Sequence, residues 1–261
     1  MTRVGVALLA GMFALASAPG EAARHTRTSA AKTRAKKAEL AKRKKLKKRR
    51  AKHRSRHKHR RKVAAKARAS EQHLPHGFSW PPNKAMKAAG AACEHHLDEI
   101  GLAWERATPR GKIVDPVYVP SMEIGGIKYT PAYRMKPRRL SCELVQTLAA
   151  IGPELYALGV REVRHGSIYR NTKVRVHGTT KPFLSRHALG IAMDIKAFVD
   201  DKGRVANVEL DYLKGDPLLH AIEDTVNHSH EFRIVLTPGN DPLSHYDHFH
   251  FEAAVDFTAF R

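Results

Sequence analysis

The chain has 261 residues, enough for one domain of ordinary size with extensions. Its formal charge of +22 is local: residues 24–70 hold 23 of the 47 Lys and Arg and one of the 25 acids, so the rest of the chain is balanced. Two cysteines, Cys93 and Cys142, exclude a disulfide scaffold and allow one disulfide in an oxidising compartment.

The chain opens with Met1-Thr2-Arg3, an apolar run from Val4 to Ala18, and small residues through Ala22-Ala23. This is the layout of a secretory signal peptide over residues 1–23. The competing reading is an uncleaved anchor, but the run falls short of the ~20 residues that span a bilayer. Residues 24–70 are Ala, Lys, Arg, His, Ser and Thr apart from Glu39, Leu40, Leu46 and Val63, with no Phe, Trp or Tyr. Such a segment cannot bury enough apolar area to offset its ordering entropy, so a disordered tail is expected, with transient helix on an anionic surface. Secretion would present envelope polyanions to it: lipid headgroups, lipopolysaccharide and wall polymers. The leader, and the lack of aromatics to stack bases, argue against nucleic acid.

Residues 71–84 read as a linker with Pro75, Gly77, Pro81 and Pro82, and residues 85–261 as the folded domain. Helical spacing predicts a helix over Lys84 to Leu102, stopped at Gly101. A strand is expected at Ile113 to Val119, and a hairpin over Met122 to Tyr129 around Gly125-Gly126. Ser141 is an N-cap for a helix reaching about Leu158, which Pro153 should kink or restart. Further strands are read at Val160–Tyr169, Ile191–Val199, Val205–Leu210, Phe232–Leu236 and Phe249–Val255. A polar loop covers Asn171–Leu184, a third helix Asp216–His228, and a Pro/Gly/Asn-rich loop Thr237–Tyr246. The pattern implies an α+β fold with a mainly antiparallel sheet and flanking helices.

Two stretches carry chemistry. Ser185 to Asp194 reads Ser-Arg-His-Ala-Leu-Gly-Ile-Ala-Met-Asp, and the chain later reads Asp247-His248-Phe249-His250. His187 and Asp194 would lie ~23 Å apart if extended, so sharing an ion requires a turn, with Leu189-Gly190 the place for it. Period-2 alternation puts His248, His250 and Glu252 on one strand face and Phe249 and Phe251 on the other. A catalytic zinc takes three protein ligands and keeps a fourth position for water. A His-x-His pair alone is a weak signal, and a metal site and ordinary buried histidines both stay open on spacing alone.

Ser185-x-His187-x-x-Gly190-x-Ala192-x-Asp194, followed by Asp247-His248-x-His250, resembles the zinc peptidases of the D-Ala-D-Ala carboxypeptidase and murein endopeptidase superfamily. Within it the chain looks most like the bacterial extensin-like C-terminal domain proteins, through Cys93 to Leu97, Leu140-x-Cys142, Arg170-Asn171 and the Ser185 box. It departs at Lys112 and Tyr169, where further cysteines are expected, and uses Asp rather than Glu at 247. The resemblance implies a zinc-peptidase-like fold, with Zn2+ on His187, Asp194 and His250. It makes Asp247 the base, has His248 and His245 line the site, and puts Arg170 on the scissile carbonyl. The expected function is a secreted, periplasmic or envelope-associated zinc peptidase acting on peptidoglycan peptides. The alternative is a non-catalytic cell-envelope or wall-binding protein on the same fold.

Overall fold

The computed structural model describes residues 73–134, 139–176 and 178–258, together with 34, 36–52, 54–56, 58, 59 and 62 of the basic segment. The expected leader lies outside the described residues. The chain divides into two compact units, Met1–Val63 and Ala64–Arg261.

In the first unit, residues 36–52 are helical and every one is exposed. Ala, Lys, Arg and Leu are good helix formers, so the local preference is satisfied. The helix has no buried face, and a single helix of that kind is marginal in water. It is, as expected, a segment with nothing to bury. No helix among the described residues is long and apolar enough to cross a membrane.

The second unit is α+β. Its main sheet has seven strands. Six of them run in the order β11 (Phe232–Leu236), β12 (Phe249–Ala253), β9 (Ala192–Asp200), β6 (Val160–His165), β4 (Ile127–Pro131) and β3 (Glu123–Ile124), and β10 (Val205–Asn207) pairs with β9. All pairings are antiparallel except β4 with β6, so the sheet is mixed. A small sheet joins β1 (Glu105–Arg106), β2 (Pro116–Tyr118) and β5 (Leu140–Ser141), and β7 (Lys173–Val176) pairs with β8 (Thr179–Leu184).

The helices are α1 (Lys84–Glu99), α2 (Cys142–Ala157), the short α3 (Val208–Asp211) and α4 (Pro217–His228). Ser141 caps α2 by accepting from the Leu144 amide at 3.2 Å, as its sequence position predicts. Helix α2 buries Leu144, Val145, Leu148, Ile151 and Leu155 in the core shared with β9 and β12. Cys142, at its first turn, is disulfide-bonded to Cys93 of α1, which ties the two helices together.

Several expectations are corrected. Pro153 does not restart the helix: α2 runs through it to Ala157, beside the expected end. The helix packs so closely on the β3–β4 hairpin that a Cβ at Gly152 would lie 2.3 Å from the Gly125 carbonyl oxygen. Burial there outweighs the lost hydrogen bond. Residues 171–184, read as a polar loop, contain the β7–β8 ribbon, whose described strand residues are mostly exposed. A ribbon without a buried face leaves no hydrophobic alternation to read. The expected strand Val205–Leu210 stops at Asn207, whose side chain accepts from the Leu210 amide and caps α3. The strand expected at Ile113–Val119 is only Pro116–Tyr118.

Candidate metal centre

The turn required at Leu189-Gly190 is present. Arg186–Leu189 form one 3-10 turn, begun by Ser185, whose hydroxyl accepts from the His187 amide, and ended by Gly190 at φ +72°. An L side chain at Gly190 would be strained in that region and would also crowd Ile113 and the Ser141 amide at 3.1 Å. The Ser141 amide donates to the Gly190 carbonyl, so the end of the turn is fastened to the start of α2.

Asp194 is the third residue of β9, and His250 is its direct cross-strand partner on β12. Facing side chains in an antiparallel pair start only ~4.5–5.5 Å apart at Cβ. Beyond Asp194, β9 shifts register between its Arg164 and His165 pairings, a bulge at Lys196. The bulge returns Phe198 to the core face of Met193 and Ile195 and leaves Asp194 and Lys196 facing the site.

The three predicted ligands converge. His187 Nε2 lies 3.0 Å from Asp194 Oδ1 and 3.2 Å from His250 Nδ1, and His250 Nδ1 lies 2.8 Å from Asp194 Oδ1. These edges are close to the ~3.3 Å separation of donors around a tetrahedral ion with ~2.0–2.1 Å bonds. All three residues are buried, and they form a group able to hold a metal ion.

The outer contacts say why a cation suits the triangle. His187 Nδ1 faces the Ile168 carbonyl at 3.0 Å, and His250 Nε2 faces Glu252 Oε1 at 3.3 Å. If each imidazole donates its proton outward, Nε2 of His187 and Nδ1 of His250 are bare lone pairs aimed at a carboxylate oxygen. Three acceptors then meet in a buried space, and only a proton or a metal ion reconciles them. The electrostatics agree. Burial pushes the His250 pKa down, but its bonds to Asp194 and Glu252 prevail and raise it to about 9. Burial likewise pushes Asp194 up, yet His187 and His250 hold it well below the usual carboxylate range. The donor set of two imidazoles and a carboxylate fits a divalent metal of the zinc type.

The remaining predicted residues surround this triangle. Arg170 Nη2 lies 3.5 Å from Asp194 Oδ2 with its side chain half exposed. His245 Nδ1 pairs with Asp241 at 2.8 Å, and its ring centroid lies 4.8 Å from that of His248 and 5.4 Å from that of His250. Burial and those two histidines push the His245 pKa down to about 4, so it is neutral at pH 7. Asp247 accepts from His248 Nδ1 at 2.6 Å and pairs with the ammonium of Lys196. His248 Nε2, in turn, lies 3.5 Å from Asp194 Oδ1. All seven predicted residues are thus in one cluster.

Sequence reasoning missed three members. Lys196 stands two residues after Asp194, the strand spacing that shares a face, and this was the available signal. Arg233 sits at a register irregularity in β11 and pairs with Glu252, behind His250. Arg186, inside the Ser185 box, is buried. The two positions expected to carry cysteines are near neighbours in a different form: the Tyr169 hydroxyl sits on Gly111, beside Lys112.

Comparison with curated proteins and with solved structures finds no match. A family model described as Extensin-like protein C-terminus matches residues 91–260, which span α2, the Ser185 box and the β9–β12 pair that hold the triangle. The chain therefore belongs to the extensin-like C-terminal family.

Proposed function

We propose that the protein is a secreted, zinc-dependent peptidase that acts on peptidoglycan peptides in the cell envelope. The basic segment would keep it near anionic envelope polymers. The observation carrying this reading is the convergence of His187, Asp194 and His250, the last of them on the wall of a cleft lined also by Arg170 and His245, with the Asp247–His248 pair beside the triangle. A zinc ion bound there would supply a water of lowered pKa and a Lewis acid for a carbonyl oxygen.

The protein's own groups have separable tasks. Arg170, anchored on Asp194 and open to the cleft, would bind the scissile carbonyl and stand where negative charge develops. Burial pushes the Asp247 pKa up, but Lys196 and His248 together hold it below its usual value. A carboxylate held so is a poor proton acceptor. We therefore give the proton-carrying task to His248 Nε2, which faces the triangle, and make Asp247 the residue that fixes its tautomer. His245, neutral and held by Asp241, would exclude water beside them.

The test is digestion of purified muropeptides by zinc-loaded full-length protein beside His187→Ala, with metal content measured on both. One equivalent of zinc and cleavage in the wild type, both lost in the variant, is the expected result. The Lys196–Asp247 pair favours one rival reading, a non-catalytic wall-binding protein, because it ties up the carboxylate that the resemblance makes the base. Zinc binding with intact muropeptides would establish that rival.

A further inference from the structure

Arg186 lies between Ser185 and His187, and nothing in the metal centre uses it. It is only 3% exposed. Its Nε and Nη1 atoms have no hydrogen-bond partner. Glu252 Oε2 is 3.9 Å from Nε, too far for a hydrogen bond, and that oxygen already accepts from Arg233. A buried guanidinium with unsatisfied donors is among the most costly groups a fold can hold, and it calls for a partner.

The space in front of it is a cavity of about 420 Å3, whose wall includes His250 of the triangle. Besides Arg186, the cations Arg170, Lys173 and Arg175 line it, against two acids, Asp241 and Glu252. Both acids are already engaged, Asp241 with His245 and Glu252 with Arg233 and His250. His73, on the same wall, has an Nε2 without a partner, and its ring packs on Phe183 at 4.5 Å. The cavity is therefore positively charged, and Arg186 carries donors with nothing to bind.

We propose that Arg186 anchors a carboxylate of the bound substrate, and that this carboxylate is the free C-terminus of a peptide. The planar fork of a guanidinium matches a carboxylate's two oxygens. The volume suits a small ligand or chain end rather than a long chain passing through. A single side-chain carboxylate, that of Glu252, separates Arg186 from His250. A chain end seated on Arg186 therefore brings one of its last peptide bonds beside the metal donors. The identity of the substrate rests on the peptidase reading above, while the seat for the carboxylate does not.

Calorimetric titration of the metal-free full chain separates the two. The probes are N-acetyl-D-Ala-D-Ala, its C-terminal amide, and N-acetyl-D-glutamic acid with its α-carboxyl amidated. The free-acid dipeptide should bind at least ten times more tightly than its amide. Arg186→Gln should abolish that preference, and Arg186→Lys should keep part of it. Equal affinity of wild-type protein for acid and amide would overturn the assignment, whether or not any variant folds. So would an unchanged preference in Arg186→Gln, or equal binding of the blocked glutamic acid. Because no metal is present, an acid preference in a protein that never cleaves muropeptides would uphold the seat and defeat the peptidase reading. Cleavage without any acid preference would do the reverse.

Discussion

His250 lies on β12 and His248 just before it, yet the two belong to regions built on opposite terms. The triangle of His187, Asp194 and His250 is buried and drawn from a turn and two paired strands, and its imidazoles are oriented by the Ile168 carbonyl and Glu252. The neighbouring pair, Asp247 and His248, is only partly buried and sits where a loop enters β12. Its charge is set by one lysine. The first region suits an ion that must stay, and the second suits a proton that must leave. Burial on a sheet holds ligands to a fraction of an ångström, while partial exposure lets a carrier exchange with water.

The contrast can be broken most severely by exchanging its members. His187→Ala should abolish stoichiometric metal binding, measured by elemental analysis. His248→Ala should keep the metal and lower the rate of muropeptide cleavage by ~10²–10⁴-fold, the range for a lost proton carrier. If both variants lose metal, the two regions are one. The next effect tests what holds the triangle. Cys93 and Cys142 close a loop with a sequence separation of 49, and Ser141, next to Cys142, is bonded to Gly190 at the end of the His187 turn. Replacing both cysteines by serine should cost about 4 kcal/mol by chain entropy, read in chemical denaturation. It should also weaken zinc binding, whereas the ionic contacts around Asp247 should hardly register it.

Smaller substitutions sharpen the boundary. Glu252→Gln leaves every ligand in place but removes the carboxylate behind His250. Zinc affinity should fall by ~10–100-fold in a competition assay, as is usual for lost outer-shell partners. Lys196→Met acts on the other side. It frees Asp247 from its ammonium, so the carboxylate pKa rises from its depressed value toward the ordinary range. The acid limb of the pH–rate profile should then move to higher pH, with metal content unchanged. A shift in metal affinity instead would place Lys196 in the first region.

Much of this was legible in the sequence, for local reasons. Gly190 had to be a turn because His187 and Asp194 could not otherwise meet, and it is one. The His-Phe-His-Phe alternation had to divide a site from a core. Phe249 and Phe251 accordingly pack with Phe198, Tyr212 and Phe232 while His250 faces Asp194. Where burial and propensity diverge, sequence reading failed. The exposed β7–β8 ribbon has no apolar period to detect, and residues 171–184 read as a loop.

The sequence by itself determined the elements whose causes lie within a few residues: the cap at Ser141, the turn at Gly190, the face periodicity of β12, and the confinement of excess charge to residues 24–70. Only the tertiary structure decided that Asp247 is held by Lys196, that Glu252 is shared between His250 and Arg233, and that Arg186 is buried with idle donors. The first two of those depend on a strand register and on an irregularity in it. Register is fixed by the packing of a whole sheet, which no short window of residues contains.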